Sequence, residues 1–134
     1  MSEEELEGIQ QQFKWAVQAL AQHADIQPTL FPSFVVVADD LALDFDNWWL
    51  AFDSNFGDSC TPAQRKTVAA LNQLLDKMSG PDKPQIWLKN DCLNHSKWSE
   101  VRQLAKDVLT AFGWPPDVPP GGRSLYARYT GIDR

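Results

Sequence analysis

The chain has 134 residues, 43% hydrophobic and 22% charged, with a formal charge of −6 and a pI near 4.7, which suits one ordinary globular domain and excludes a disordered chain. The acidic balance also argues against direct contact with nucleic acid, whose phosphates it repels. No stretch approaches the ~20 apolar residues of a membrane span. The start Met1-Ser2-Glu3-Glu4-Glu5 lacks the basic-then-apolar order of a secretory signal. The expected location is therefore the cytoplasm, with Cys60 and Cys92 as reduced thiols.

Ser2 and Glu5 match a capping box, and Glu3, Glu4 and Glu5 suit the positive end of a helix. Leu6, Ile9, Phe13, Ala16, Val17, Leu20 and Ala24 then recur at three- and four-residue steps, which predicts a helix over 3–24. Residues 26–38 are apolar, β-branched and broken by proline. They read as a connector that begins to coil near Pro32, with a short strand as the alternative.

Leu41, Phe45, Trp48, Trp49, Phe52 and Phe56 form one aromatic face and predict a second helix over 39–56. Asp39 or Asp40 is expected to cap its start, and Gly57 to supply a left-handed residue past its end. Thr61-Pro62-Ala63-Gln64 opens a third helix over 62–79, with Val68, Leu71, Leu75 and Met78 inward and Ser79-Gly80-Pro81 as the stop. Residues 81–95 read as a polar connection with a helical turn near 90–94. Ser96 is expected to cap a last helix over 96–112, whose inward residues are Trp98, Val101, Leu104, Ala105, Val108, Leu109 and Phe112. Gly113 and Pro115 end it. The Pro-rich tail that follows cannot continue as a helix. It is expected to cross the helices as an extended strap held by Trp114, Leu125 and Tyr129.

The fold class expected is thus all-α: a four-helix bundle-like domain over 1–113, with an extended C-terminal tail over 114–134 packed on the same domain. Six Trp and seven Phe supply its core, each large aromatic burying about 150–250 Å².

Residues that do difficult chemistry are sparse. The two histidines, His23 and His95, lie far apart, and no GxSxG elbow, P-loop, GxGxxG turn or HExxH helix occurs. Cys92 and His95 have a CxxH spacing, one helical turn apart, but a zinc site needs further ligands and a nucleophile needs an orienting group. No cofactor, metal or catalytic residue is therefore assigned, and the chain reads as a non-enzyme.

The charge is divided instead. Residues 1–58 hold eleven acids against the single base Lys14, a formal −10; residues 59–134 hold seven acids and eleven bases, a formal +4. Asp39, Asp46 and Asp53 are seven apart and line one edge of the second predicted helix. Asp40 and Asp44 are expected to flank that edge. Trp48 and Trp49 sit about 100° apart on a helix, so one of them is expected at the margin beside the aspartates, as in many protein-binding surfaces. Asp39, Asp40, Asp44, Asp46, Trp49 and Asp53 are accordingly the expected contacts of a basic protein partner. The competing expectation is that Arg65, Lys66, Lys77, Lys97, Arg102, Lys106, Arg123 and Arg128 neutralise those acids within the fold.

In size, charge and helical class, without a shared motif, the chain resembles small acidic bacterial proteins that act as immunity or antitoxin partners. That likeness implies an inhibitor of a basic partner. The alternatives are a scaffold subunit that homo-oligomerises through residues 30–37 or Trp87, and an enzyme built on Cys92 and His95 or on the carboxylates of the second helix.

Overall fold

The computed structural model describes residues 2–33, 35–79, 87 and 92–121. Among them every regular element is helical: α1 (Glu3–Leu20), α2 (Val37–Phe56), α3 (Pro62–Met78) and α4 (Ser96–Phe112), with short 3₁₀ turns at Gln27–Leu30, Gly57–Ser59 and Cys92–Asn94. The domain is all-α, as its periodicities predict. α1 packs between α2 and α4, α3 packs on the far side of α4, and α2 and α3 approach each other less closely than these pairs.

The centre is aromatic. Phe13 of α1 is fully buried, and its ring centroid lies 4.9 Å from Phe52, 5.4 Å from Trp49, 6.0 Å from Phe45, 5.9 Å from Phe112 and 5.8 Å from Trp114. The separations and mostly tilted or edge-on geometries are those that aromatic quadrupoles favour. Around α3 and α4 the core continues through Val68, Leu71, Trp98, Val101 and Val108, all buried.

The helix ends show where local chemistry decides. The Ser2 hydroxyl accepts from the Glu5 amide at 3.1 Å. Thr61 and Gln64 form the reciprocal capping box, with Pro62 in the first turn of α3. Helix α1 stops at Leu20 rather than near Ala24, because the buried Gln27 side chain turns back and donates Nε2 to the Ala19 and Leu20 carbonyls at 3.0 and 3.2 Å. A side chain seven or eight residues on thus supplies donors that the helix's own end lacks.

Helix α2 begins at Val37, with Val36 as an N-cap that makes no side-chain bond. Asp39 and Asp40 sit inside its first turn, where they meet the positive helix end without capping it. The cap of α4 is His95, whose Nδ1 accepts from the Lys97 amide at 3.1 Å, and not Ser96. Gly113 is left-handed, with φ 70°, as a C-terminal glycine should be. Gly57 is not left-handed. At φ −55° it continues the helical sense into a 3₁₀ turn. Its lack of a side chain serves space: a Cβ there would fall 2.5 Å from Asp53 Oδ1 and 2.9 Å from Arg65 Nη2.

The segment between α1 and α2 is a connector, as expected, with a 3₁₀ turn over Gln27–Leu30 and a further turn closed by the Val35 amide on the Pro32 carbonyl at 3.3 Å. Residues 114–121 form the strap. Proline removes backbone donors and leaves carbonyls, so a Pro-rich strap can be tied only by donors from elsewhere. Helix α1 and the residue just past its C-cap present three. Trp15 Nε1 donates to Pro120 O at 2.8 Å and Gln18 Nε2 to Pro115 O at 2.9 Å, while Gln22 Nε2 reaches Pro116 O and Asp117 O at 3.3 and 3.1 Å. Trp114 anchors the strap's start, stacked on Phe112 at 4.7 Å. Leu125 and Tyr129, the other expected anchors, lie outside the described residues, as do Arg123 and Arg128 and the Gly80-Pro81 stop.

A candidate protein-binding groove between α2 and α3

Helices α2 and α3 are joined by the short turn over 57–61, and an ion pair closes them there. Arg65 Nη2 lies 3.2 Å from Asp53 Oδ1 and also donates to the Gly57 carbonyl. Toward the start of α2 and the end of α3 they stand apart and leave a groove of about 390 Å³. Its apolar part is Ala42, Leu43 and Phe45 from α2, Leu75 from α3, and Trp87. Its polar part is Asp39 and Asp46 from α2 with Asn72, Asp76 and Ser79 from α3. Trp87 is fixed in place. Its Nε1 donates to the Met78 carbonyl at 2.8 Å, and its ring meets Trp98 edge-on at 5.3 Å.

The expected site residues separate into four groups. Asp39 and Asp46 are exposed and line the groove together. Asp53 continues their row but is held by Arg65, so part of the anionic edge is neutralised from within the chain. Asp40 and Asp44 are elsewhere. Asp44 is only 4% exposed, which corrects the expectation that it flanks a solvated edge. At about 100° per residue it lies roughly 160° around the helix from Asp46, in line with Leu41 and Trp48 and hence on the inner side. Asp40 is half-buried and about 120° from Asp46. Trp49 is half-buried beside the acidic row, but its ring is spent on Phe13 and on Phe52, 6.1 Å away.

Among the described residues the ion pairs are Arg65–Asp53 and Lys97–Glu100, and Asp39, Asp46 and Asp76 take part in neither. Asp76 and Trp87 were not singled out by the charge pattern. Asp76 lies in the half of the chain that is basic in sum, and Trp87 in a connection without periodicity. The usable signal was the i, i+4 pair Asn72 and Asp76 beside the inward Leu75.

The groups considered for covalent or metal chemistry are placed apart from this groove. Cys92 is buried, while His95 is exposed with its Nδ1 committed to the cap. Neither Cys60 nor Cys92 is in a disulfide. Burial pushes the Cys60 thiol above its ordinary value, the charge of Arg65 opposing that and Asp53 adding to it. Among the described residues no three His, Cys, Asp or Glu side chains are grouped to hold a metal ion. No helix there is long and apolar enough to cross a membrane.

The fold and the groove together define a helical domain with an anionic, apolar-floored cleft between two antiparallel helices. No protein-family model matches the chain, and comparison with curated proteins and with solved structures likewise finds no match.

Proposed function

We propose that the protein is a binding module for a basic protein, with the α2–α3 groove as its contact surface. The observation that carries this reading is the pairing of chemistries in one cleft. Asp39, Asp46 and Asp76 surround an apolar floor of Phe45, Leu75 and Trp87. Carboxylates of one sign grouped around a cleft focus their potential on a partner cation more than the same groups spread over a surface. An aromatic ring beside them adds cation–π attraction for an arginine or lysine. The same charge that repels nucleic acid would let such a surface occupy the basic cleft of a protein that acts on nucleic acid. An inhibitor of immunity or antitoxin type is the form of binding module that fits this chemistry best.

Affinity capture from the source cell tests the reading, with the chain and its Asp39→Lys/Asp46→Lys variant as parallel baits. Both residues are exposed, so the variant is expected to fold. Basic proteins retained by the chain and lost by the variant support the proposal. A retained set that is acidic, or that is unchanged by charge reversal, overturns it.

A further inference from the structure

We infer that the outer face of α2 seats an amphipathic basic helix of the partner. Its apolar side would lie along Val36, Leu43 and Leu50, and its cationic edge over Asp39 and Asp46. This deepens the function proposed above and rests on it.

Among the described residues the large apolar side chains left exposed are Val36, Leu43, Leu50 and Val118, at 44%, 47%, 57% and 55%. Two of these four, Leu43 and Leu50, lie seven residues apart on α2, and Val36, the N-cap residue before it, precedes Leu43 by the same seven. Seven residues turn an α-helix to within about 20° of two full turns, so Leu43 and Leu50 lie nearly in line along α2, and the exposed Val36 at its N-cap extends the row to roughly 21 Å. Asp39, Asp46 and Asp53 repeat three residues later with the same period, about 60° further round. The outer side of α2 is therefore an apolar row with an anionic row alongside. Leu43 belongs to both the row and the groove wall.

The period names the kind of element that fits. An extended segment presents side chains every two residues. A helix lying at a shallow angle presents an apolar seam with a seven-residue repeat, as coiled-coil partners do. The charge names its edge. Helix α2 carries five aspartates and no lysine or arginine, so the facing edge must bring the cations. Arg65 already occupies Asp53, which leaves Asp39 and Asp46 as the pair to be engaged.

A second copy of the chain fits poorly on the same grounds. Two α2 helices packed antiparallel about a two-fold axis through this row set aspartate edge against aspartate edge. Packed parallel, they set that edge against Asp40, Asn47 and Ser54, again without a cation. An anionic lipid surface is repelled by the same row.

Three synthetic peptides of about 18 residues, matched in length to the row, test this with the full chain by calorimetric titration. One is an amphipathic helix with leucines on one side and lysines along one edge. The second carries glutamates in place of the lysines, and the third is the basic composition scrambled to abolish the amphipathic face. The basic amphipathic peptide is expected to bind about tenfold or more tighter than both others. Leu43→Ser/Leu50→Ser is expected to weaken it about tenfold, the loss that two exposed apolar contacts support, with an unchanged melting curve. Asp39→Asn/Asp46→Asn is expected to weaken it and flatten its salt dependence.

Equal binding of the scrambled peptide, or no effect of the leucine variant, overturns the inference. So does a dimer in sedimentation that Leu43→Ser dissolves, which would give the face to a second copy. If charge reversal at Asp39 and Asp46 abolishes capture of a basic protein while the leucine variant captures it undiminished, the binding function stands and the helix seat alone falls. If charge reversal has no effect on capture, the function itself has failed.

Discussion

Arg65 bonds both Asp53 and the Gly57 carbonyl, across the turn that joins α2 to α3. The missing side chain of Gly57 is what lets the guanidinium and the carboxylate meet there. Gly57→Ala therefore sets two small terms against each other. The new Cβ displaces the ends of two exposed side chains and breaks an ion pair worth about 0–1 kcal/mol. Replacing glycine at a helical φ gains about 0.4–1 kcal/mol. Chemical denaturation is expected to place this variant within about 0.5 kcal/mol of the parent. A double-mutant cycle should show that the coupling of Arg65 to Asp53 has vanished in the Gly57→Ala background.

Gln27 carries a larger consequence. It is fully buried, and its Nε2 is the donor that ends α1 at Ala19 and Leu20. Gln27→Leu keeps the volume and strands the Leu20 carbonyl, while the Ala19 carbonyl keeps the Gln22 amide at 3.3 Å. It also removes the buried Gln27 Oε1, which makes no hydrogen bond, so against about 1–3 kcal/mol for one unsatisfied group the cost is expected near 1–2 kcal/mol. Urea unfolding followed by tryptophan fluorescence checks it.

The strap supplies a third expectation. Gln18→Leu/Gln22→Leu removes the donors that reach Pro115, Pro116 and Asp117. These bonds are part-buried and Pro115, Pro116 and Asp117 are exposed residues, so their carbonyls can regain water and the loss should be about 1–2 kcal/mol rather than the full penalty of buried orphans. Limited proteolysis should cut within 114–121 sooner in the variant while α1–α4 keep their circular dichroism.

Alkaline pH gives a fourth. Burial raises the Cys60 thiol in the folded chain, so the unfolded chain ionises first. The stabilisation is present below the ordinary thiol value and is lost as pH rises through the folded one. Melting temperature is expected to fall more steeply with pH in that alkaline window for the parent than for Cys60→Ala. Ellman's reagent should modify Cys60 more slowly than a free thiol at equal pH.

Removing the central ring makes the fifth. Phe13→Ala deletes a side chain that contacts five other aromatics. Such truncations cost about 3–5 kcal/mol, a large fraction of a small domain's stability. Near-ultraviolet circular dichroism should lose much of its intensity.

How much of this was readable beforehand depends on the range of the interaction. The helices were legible because their signals are local. Phe13, Phe45 and Phe52 recur with the period of a helix, and Thr61 and Gln64 cap across three residues. The end of α1 was not legible, because it is set by Gln27, a side chain outside the helix that no periodicity marks. Glycine at 57 reads as a left-handed terminator by base rate, whereas its role here is clearance for a contact with α3. The acidic edge was half legible. The seven-residue spacing of Asp39, Asp46 and Asp53 is a property of one helix, and it correctly placed the first two on one open edge. Asp44 was misplaced by counting charge instead of angle. Arg65, Asp76 and Trp87 entered only when tertiary packing brought α3 and the following connection beside α2.

The bond from Trp15 to Pro120 joins positions 105 apart in sequence, and that separation dictates an order of events during synthesis. Helix α1 is made before the other described helices, yet Trp15, Gln18 and, just past its end, Gln22 meet their strap acceptors only after all of those helices have been made. Until then these side chains lack the strap and stay open to whatever is nearby. The described domain therefore fastens last at the helix it makes earliest among them, so its vulnerable interval in the cell is the time before the strap has been made.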